Sequence, residues 1–248
     1  MANELTAILF ALDREAAPFR RLSGCVRRVD APVPAWRNKR GMLVVVTGMG
    51  AEKSLAAFDW LLRAHRPVRV VSAGFCGSLV DAYRVGALIR PAAVFAEGDP
   101  PRKWVGVGLV SANAPVQCAG ARGRLHAATG AAIVDMESAT VMRACARERI
   151  AFDCLRVVSD DPSRPLPAEL SVILDGERLV IGRLLACLRR RPSLALDLLR
   201  LAWHSRVAGR LLATELLEMS SRALDLGVLG PDAADNGAIP PPLGLRKG

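Results

Sequence analysis

The chain has 248 residues, 51% hydrophobic and 4% aromatic, with a formal net charge of +10. That length supports one large α/β domain, or a domain with an appendage, and not two equal domains. Its six cysteines (Cys25, Cys76, Cys118, Cys145, Cys154 and Cys187) form no Cys-x-x-Cys pair and show no regular spacing, so neither a disulfide scaffold nor a zinc site is indicated. Residues 1–17 are interrupted by Glu4, Asp13, Arg14 and Glu15, unlike a signal peptide, and no uncharged apolar run is long enough to span a bilayer. A cytoplasmic location is expected, soluble or peripheral at the inner face of the membrane. A nucleic-acid groove would add aromatic stacking groups or a recognisable module, so nucleic acid is not expected as a partner.

In chain order, residues 5–12 read as a buried strand, 42–47 as a second, 52–64 as a helix and 68–72 as a third strand. Further strands are expected over 86–94 and 104–110. Two acid-tipped strands follow, one ending in Asp135-Met136-Glu137 and one in Ser159-Asp160-Asp161, with a helix over 138–148 between them. This alternation predicts a largely parallel or mixed sheet with helices on both faces. Gly48-Met49-Gly50 and the Gly74 to Gly77 segment follow strands, as turns that let backbone N–H groups approach an anion or a sugar. Neither meets the dinucleotide-binding fingerprint.

In open α/β sheets, ligands bind outside the carboxyl ends of the strands, so Glu137 and Asp160 are the first candidates for paired acids in one crevice. Asp135 or Glu137 would equally serve as a cap for the helix that starts at Ser138, and Asp161 stays unassigned. Arg156 reads as a sheet-surface residue. His65, His126 and His204 lack partners at ligand spacing, which leaves them surface or packing roles and predicts no metal.

Beyond residue 177 the charge turns strongly basic. Ile181, Leu184, Leu185 and Leu188 recur at helical spacing, as do Leu194, Leu198, Leu201, Ala208, Leu211 and Leu212, with arginines on other faces and a break at Arg191-Pro192. Such a helix pair fits an anionic membrane surface, or packing on the domain or on another subunit. The tail from 224 to 248, with Pro240-Pro241-Pro242, is expected to be disordered. The resulting division is 1–176 as the main domain, 177–222 as a basic helical extension and 223–248 as a tail.

Five motifs lie in order between residues 5 and 165: Ala11-Leu12-Asp13-Arg14-Glu15, Gly48 to Gly50, Gly74 to Gly77, Met136-Glu137 and Ser159-Asp160. Together they resemble the purine nucleoside phosphorylase and nucleosidase superfamily, in the branch of the methylthioadenosine/S-adenosylhomocysteine nucleosidases. Arg164 to Pro167, the Leu174 to Gly176 turn and the Arg/Leu helix up to Met219 are similar to the hopanoid-associated phosphorylases, which act on adenosylhopane. The resemblance implies a three-layer α/β/α nucleoside phosphorylase-like fold, with a central mixed, largely parallel sheet plus C-terminal helices. It also implies cleavage of an N-glycosidic bond, releasing adenine from adenosylhopane in hopanoid biosynthesis. The alternatives are a methylthioadenosine/S-adenosylhomocysteine nucleosidase or a related nucleoside phosphorylase, and a non-catalytic nucleoside-binding or peripheral membrane protein.

Breaking a ribose-to-purine bond passes through an oxocarbenium-like state, so the sugar cation and the departing base both need stabilising. By resemblance, Glu137 accepts hydrogen bonds from the ribose hydroxyls with Met136 packed on the sugar, and Asp160, oriented by Ser159, gives a proton to the base. Glu15 activates water. Phosphorylases use an Arg just before the Gly-x-x-Gly turn and a Ser within it, where this chain has Ser72 and Phe75; Arg14 and the backbone of Gly48 to Gly50 remain as an anion site. Inorganic phosphate therefore stays open as a co-substrate, with no other cofactor. Gly74, Phe75 and the Val116 backbone would line the nucleoside, with Pro115 in the place of an aromatic residue. The short 97–104 connection leaves the sugar end open for a bulky, lipid-linked 5′ group. Glu15, Glu137 and Asp160 are expected to converge on one crevice, in a homo-oligomer.

Overall fold

A computed structural model describes residues 5–28, 30–39, 41–100, 103–163, 167, 169–175 and 178–225. Its first strand, β1 (Thr6–Phe10), is apolar on both sides, and each side meets a different helical layer. Ile8 and Phe10 pack with Phe19 of α1 (Asp13–Leu22) and with Ala208 and Leu212 of the last helix. Ala7 and Leu9 pack with Phe58 and Leu61 of α2 (Ala51–His65) and with Val141 and Cys145 further along. Period-two alternation in a strand buried on both faces thus sets the three layers.

Between α1 and α2 run β2 (Val26–Arg28), β3 (Ala35–Arg37) and β4 (Met42–Val46). After α2 come β5 (Arg69–Ser78), β6 (Leu88–Ile89), β7 (Ala93–Ala96), β8 (Gly108–Ser111), α3 (Ala119–Thr129), β9 (Ile133–Asp135), α4 (Ser138–Glu148) and β10 (Ala151–Asp160). The sheet is mixed and largely parallel. β4, β1, β5 and β10 run parallel, as do β7, β8 and β9, while β9 joins β5 in antiparallel sense through Gly77 and Ser78. The expected fold class is the observed one.

Two expectations change in detail. The third strand runs on past Ser72 to Ser78, because Gly74 and Gly77 do not turn the chain but stay paired with Arg156 and Asp160 of β10. The strand expected over 104–110 is confined to β8, since Trp104 folds back onto Phe95, with ring centroids 4.8 Å apart, and fills the space beside Gly108. Residues 101–102 of the 97–104 connection lie outside the described residues.

After α5 (Leu170–Ile173), β11 (Leu174–Asp175), β12 (Arg178–Leu179) and α6 (Ile181–Arg190), the chain breaks at Pro192 and continues as α7 (Leu194–Asp225). Ala208, Leu212, Ala213 and Leu216 of α7 belong to the same core as β1 and α1. Gly209 sits against Pro18, where an added Cβ would lie 3.1 Å from its ring, so the two helices approach closely. Helix α7 thus packs on the domain, one of the placements its helical spacing allowed. Residues 164–166, Gly176 and the tail from 226 onward lie outside the described residues.

Candidate active site

Glu15 follows a strand end and stands in the first turn of α1, where its Oε2 accepts the Leu12 backbone N–H at 3.0 Å. This is the back-reaching half of a capping box. Its Oε1 reaches across to the sheet and accepts the Phe75 N–H at 2.9 Å. Gly74 makes that reach possible: a Cβ there would lie 3.0 Å from Oε2 of Glu15 and 3.2 Å from its carboxyl carbon. Burial pushes the Glu15 carboxyl above its ordinary range, against the lowering pull of the Phe75 N–H.

Glu137 approaches the same space from the other side of the sheet. Its Oε1 accepts the Gly50 N–H at 2.8 Å at the start of α2, and its Oε2 lies 3.3 Å from the Met136 N–H. Gly50 has φ +94° and Gly48 has φ +86°, backbone conformations that favour glycine. The expected anion site at this helix start is thus filled by a carboxylate of the protein itself. Burial, and then the neighbouring charge of Asp135, raise the Glu137 carboxyl to about 7.

Glu15 and Glu137 share one small cleft, with a cavity of about 20 Å³, lined also by Gly74, Phe75, Thr47 and Arg156. Arg156 is buried and paired, so its reading as a sheet-surface residue is overturned. Its Nη2 donates to Asp135 Oδ2 at 2.7 Å, to Ser72 Oγ at 2.8 Å and to Ser138 Oγ at 2.6 Å, and its Nε donates to Asp135 at 3.0 Å. Asp135 in turn accepts the Ser138 N–H at 3.1 Å, which is the helix-capping role, and the Ser111 hydroxyl at 2.6 Å. Ser72, which stands where phosphorylases carry an Arg, is here a ligand of one.

Asp160 is not brought into that cleft. Its carboxylate lies against Gly77, where a Cβ would sit 3.0 Å from Oδ2, and Oδ2 is held by Nη2 of Arg122 from α3. Arg122 also donates from Nη1 to the Ser78 carbonyl at 2.8 Å, while its Nε is buried without a partner among the described residues. Ser159 Oγ lies 2.7 Å from Asp160 Oδ1, in the orienting position expected of it. The expected convergence of three carboxylates is therefore two in the cleft and one beyond it, because a buried guanidinium from α3 holds the third. Val116 packs beside Leu125 and Val134 and does not line the cleft. Asp161 accepts the Val85 N–H at 3.2 Å and the Ser163 hydroxyl at 2.6 Å, a loop-fastening role.

Nothing in the local sequence pattern marks Arg122. It stands among alanines and glycines in a helix with little amphipathic pattern, and only the fold brings it to Asp160.

Residues 104–187 match the family model described as Phosphorylase superfamily. No curated protein matches the chain. Among solved structures, the 5′-methylthioadenosine/S-adenosylhomocysteine nucleosidase of Helicobacter pylori with butyl-thio-DADMe-Immucillin-A is 15% identical, over 90% of this chain and 100% of that one, at a TM-score of 0.66. The futalosine hydrolase of the same organism is 15% identical, over 89% of this chain and 98% of its own, at 0.66. The Neisseria meningitidis 5′-methylthioadenosine/S-adenosylhomocysteine nucleosidase with methylthio-immucillin-A is 14% identical, over 88% and 99%, at 0.64. The chain thus has the fold of these nucleosidases, and across residues 104–187 it carries the sequence pattern of the phosphorylase superfamily.

Proposed function

We propose that the protein is an enzyme that hydrolyses the N-glycosidic bond of a purine nucleoside. The observation that carries this is the pair of buried carboxylates, Glu15 and Glu137, in one cleft at the strand carboxyl ends. A developing sugar cation is stabilised by such a negative, water-poor cleft. Glu137, across from Gly50, would take the ribose hydroxyls, beside Met136. Glu15 would draw a proton from the attacking water, a task suited to a carboxylate whose proton affinity burial has raised.

Water is favoured over phosphate by the charge of the cleft. Arg156 is the one cation lining it among the described residues, and its donors are committed to Asp135, Ser72, Ser138 and the Leu155 carbonyl. A phosphate dianion would meet two carboxylates, and Arg156, the lining cation, has its donors engaged.

Asp160 and Arg122 are proposed to serve the base. Gly77, against which they lie, is three residues along β5 from Gly74, roughly 10 Å at the rise of a strand. That is comparable to the long axis of a nucleoside.

The substrate proposed is adenosylhopane, a nucleoside with a bulky apolar 5′ group. Its supports are the resemblance of the C-terminal third and the 97–104 connection, whose Trp104 turns back onto β8. A 5′-methylthioadenosine-type substrate is the second reading, favoured by the shared fold. Adenine release from adenosine, from 5′-methylthioadenosine and from an adenosine bearing a long apolar 5′ chain, each with and without phosphate, tests the reading. Release that is independent of phosphate and fastest with the apolar chain is expected; no base from any of the three overturns it.

A further inference from the structure

Helix α7 has two apolar faces, and the described residues cover only one of them. Ala208, Leu212, Ala213 and Leu216 are buried against the domain. On the opposite side Leu196, Leu199, Trp203, Val207 and Leu211 recur at intervals of three and four, a single stripe along the helix. These are exposed to 57%, 67%, 63%, 37% and 44%. Ile181 and Leu185 of α6, exposed to 67% and 56%, add to the apolar surface of this segment. A stripe of this size that stays in water marks an interaction surface.

Charge identifies the partner. Between residues 181 and 211 the arginines are Arg183, Arg189, Arg190, Arg191, Arg200, Arg206 and Arg210, and the one acidic residue is Asp197. Asp197 is already engaged by Arg191 at 2.5 Å. A second copy docking stripe to stripe would set Arg200, Arg206 and Arg210 against their own counterparts with no acid between them. An anionic surface with an apolar interior satisfies both features at once. No described helix is long and apolar enough to cross a membrane, so the geometry is that of a helix lying along it.

We propose that the exposed stripe of α7, flanked by these arginines, docks on an anionic lipid bilayer, with Leu199 and Trp203 immersed at the headgroup boundary. Tryptophan suits that depth, since its ring is apolar and its N–H is wet. Arginine attraction to lipid phosphate is screened by salt, so the docking is strongest at low ionic strength.

The test uses the full chain with two vesicle compositions, pure phosphatidylcholine and phosphatidylcholine mixed with phosphatidylglycerol. Flotation with the mixed vesicles only, reversed by salt and accompanied by a blue shift of the tryptophan emission, is expected. Leu199→Glu with Trp203→Glu should lower the partition coefficient by at least about tenfold, since two inserted apolar anchors become charges near anionic lipid. Both positions are exposed, so the thermal midpoint should not fall, and base release from a soluble nucleoside should be unchanged. Absent flotation at low salt overturns the proposal, as does unchanged flotation of the variant. A dimer of the wild-type chain that the same variant dissociates would overturn it in favour of a second copy, and capture of RNA without vesicle binding would overturn it too. Vesicle binding and base release are read separately, so failure of either leaves the other standing.

Discussion

The guanidinium of Arg122 closes on Oδ2 of Asp160 with both side chains buried, 1% and 6% exposed, across a glycine that leaves room for the contact. A buried pair of this kind contributes little net stability as a pair, but removal of one partner strands a charge. Arg122→Leu should therefore cost about 3 to 5 kcal/mol in urea unfolding. Adding Asp160→Asn to it should restore part of the loss, giving a double-mutant coupling on the order of 1 kcal/mol or more. Additive losses would mean that the two side chains do not depend on each other.

Glu15→Gln keeps the shape of the side chain and removes its capacity to accept a proton. Its turnover should fall by about 10²- to 10⁴-fold, the usual contribution of a positioned base, with nucleoside affinity by calorimetry nearly unchanged. Unfolding should change little, since relief of the buried carboxylate is offset by the one backbone N–H, of Leu12 or Phe75, that loses its acceptor. Turnover within a few-fold of wild type would remove Glu15 from the reaction.

Glu137 titrates in a stability-linked way. Its carboxyl is raised from 4.5 to about 7, so the fold favours its protonated form. The stability this contributes is fully present below pH 4.5 and is lost as pH rises through 7. Relative to wild type, Glu137→Gln should gain stability across that window, on the order of 3 kcal/mol at most. Sugar binding needs the ionised form, so wild-type kcat/KM should climb through the same window, and that limb should vanish in the variant. A thermal midpoint difference that is flat with pH would contradict the burial of this group.

Gly74→Ala probes the approach of Glu15 to the sheet. A methyl group 3.0 Å from the Glu15 carboxylate forces it from the Phe75 N–H. Turnover should drop by about tenfold or more, since small misplacements of catalytic groups are costly. A fully active alanine variant would show that this hydrogen bond does not position the base.

Local patterns were legible where a single element carried them. Helix α4 spans the 138–148 expected from its spacing and from the acid-tipped strand before it. Gly74 and Gly77 have the spacing of a turn, since glycine punctuates loops, yet both lie in β5, where their missing side chains admit the carboxylates of Glu15 and Asp160. That purpose is visible only once other chain segments arrive. Helix α3 went unread because its glycines and alanines show little amphipathic pattern, and Arg122 went with it. Arg156 looked like a surface residue for a related reason. Its partners Ser72, Asp135 and Ser138 come from three separate stretches of sequence. In α7, one heptad-like pattern served both the core and the exposed stripe, and periodicity alone does not say which face is covered.

The most direct test of the account is incubation of the full chain with an adenine nucleoside in phosphate-free buffer made with heavy-oxygen water, followed by mass spectrometry of both products. Free adenine in equal amount to a sugar carrying the heavy oxygen at its anomeric carbon is the expected result. No cleavage until phosphate is added, with a sugar phosphate as product, would contradict water activation in the Glu15 and Glu137 cleft.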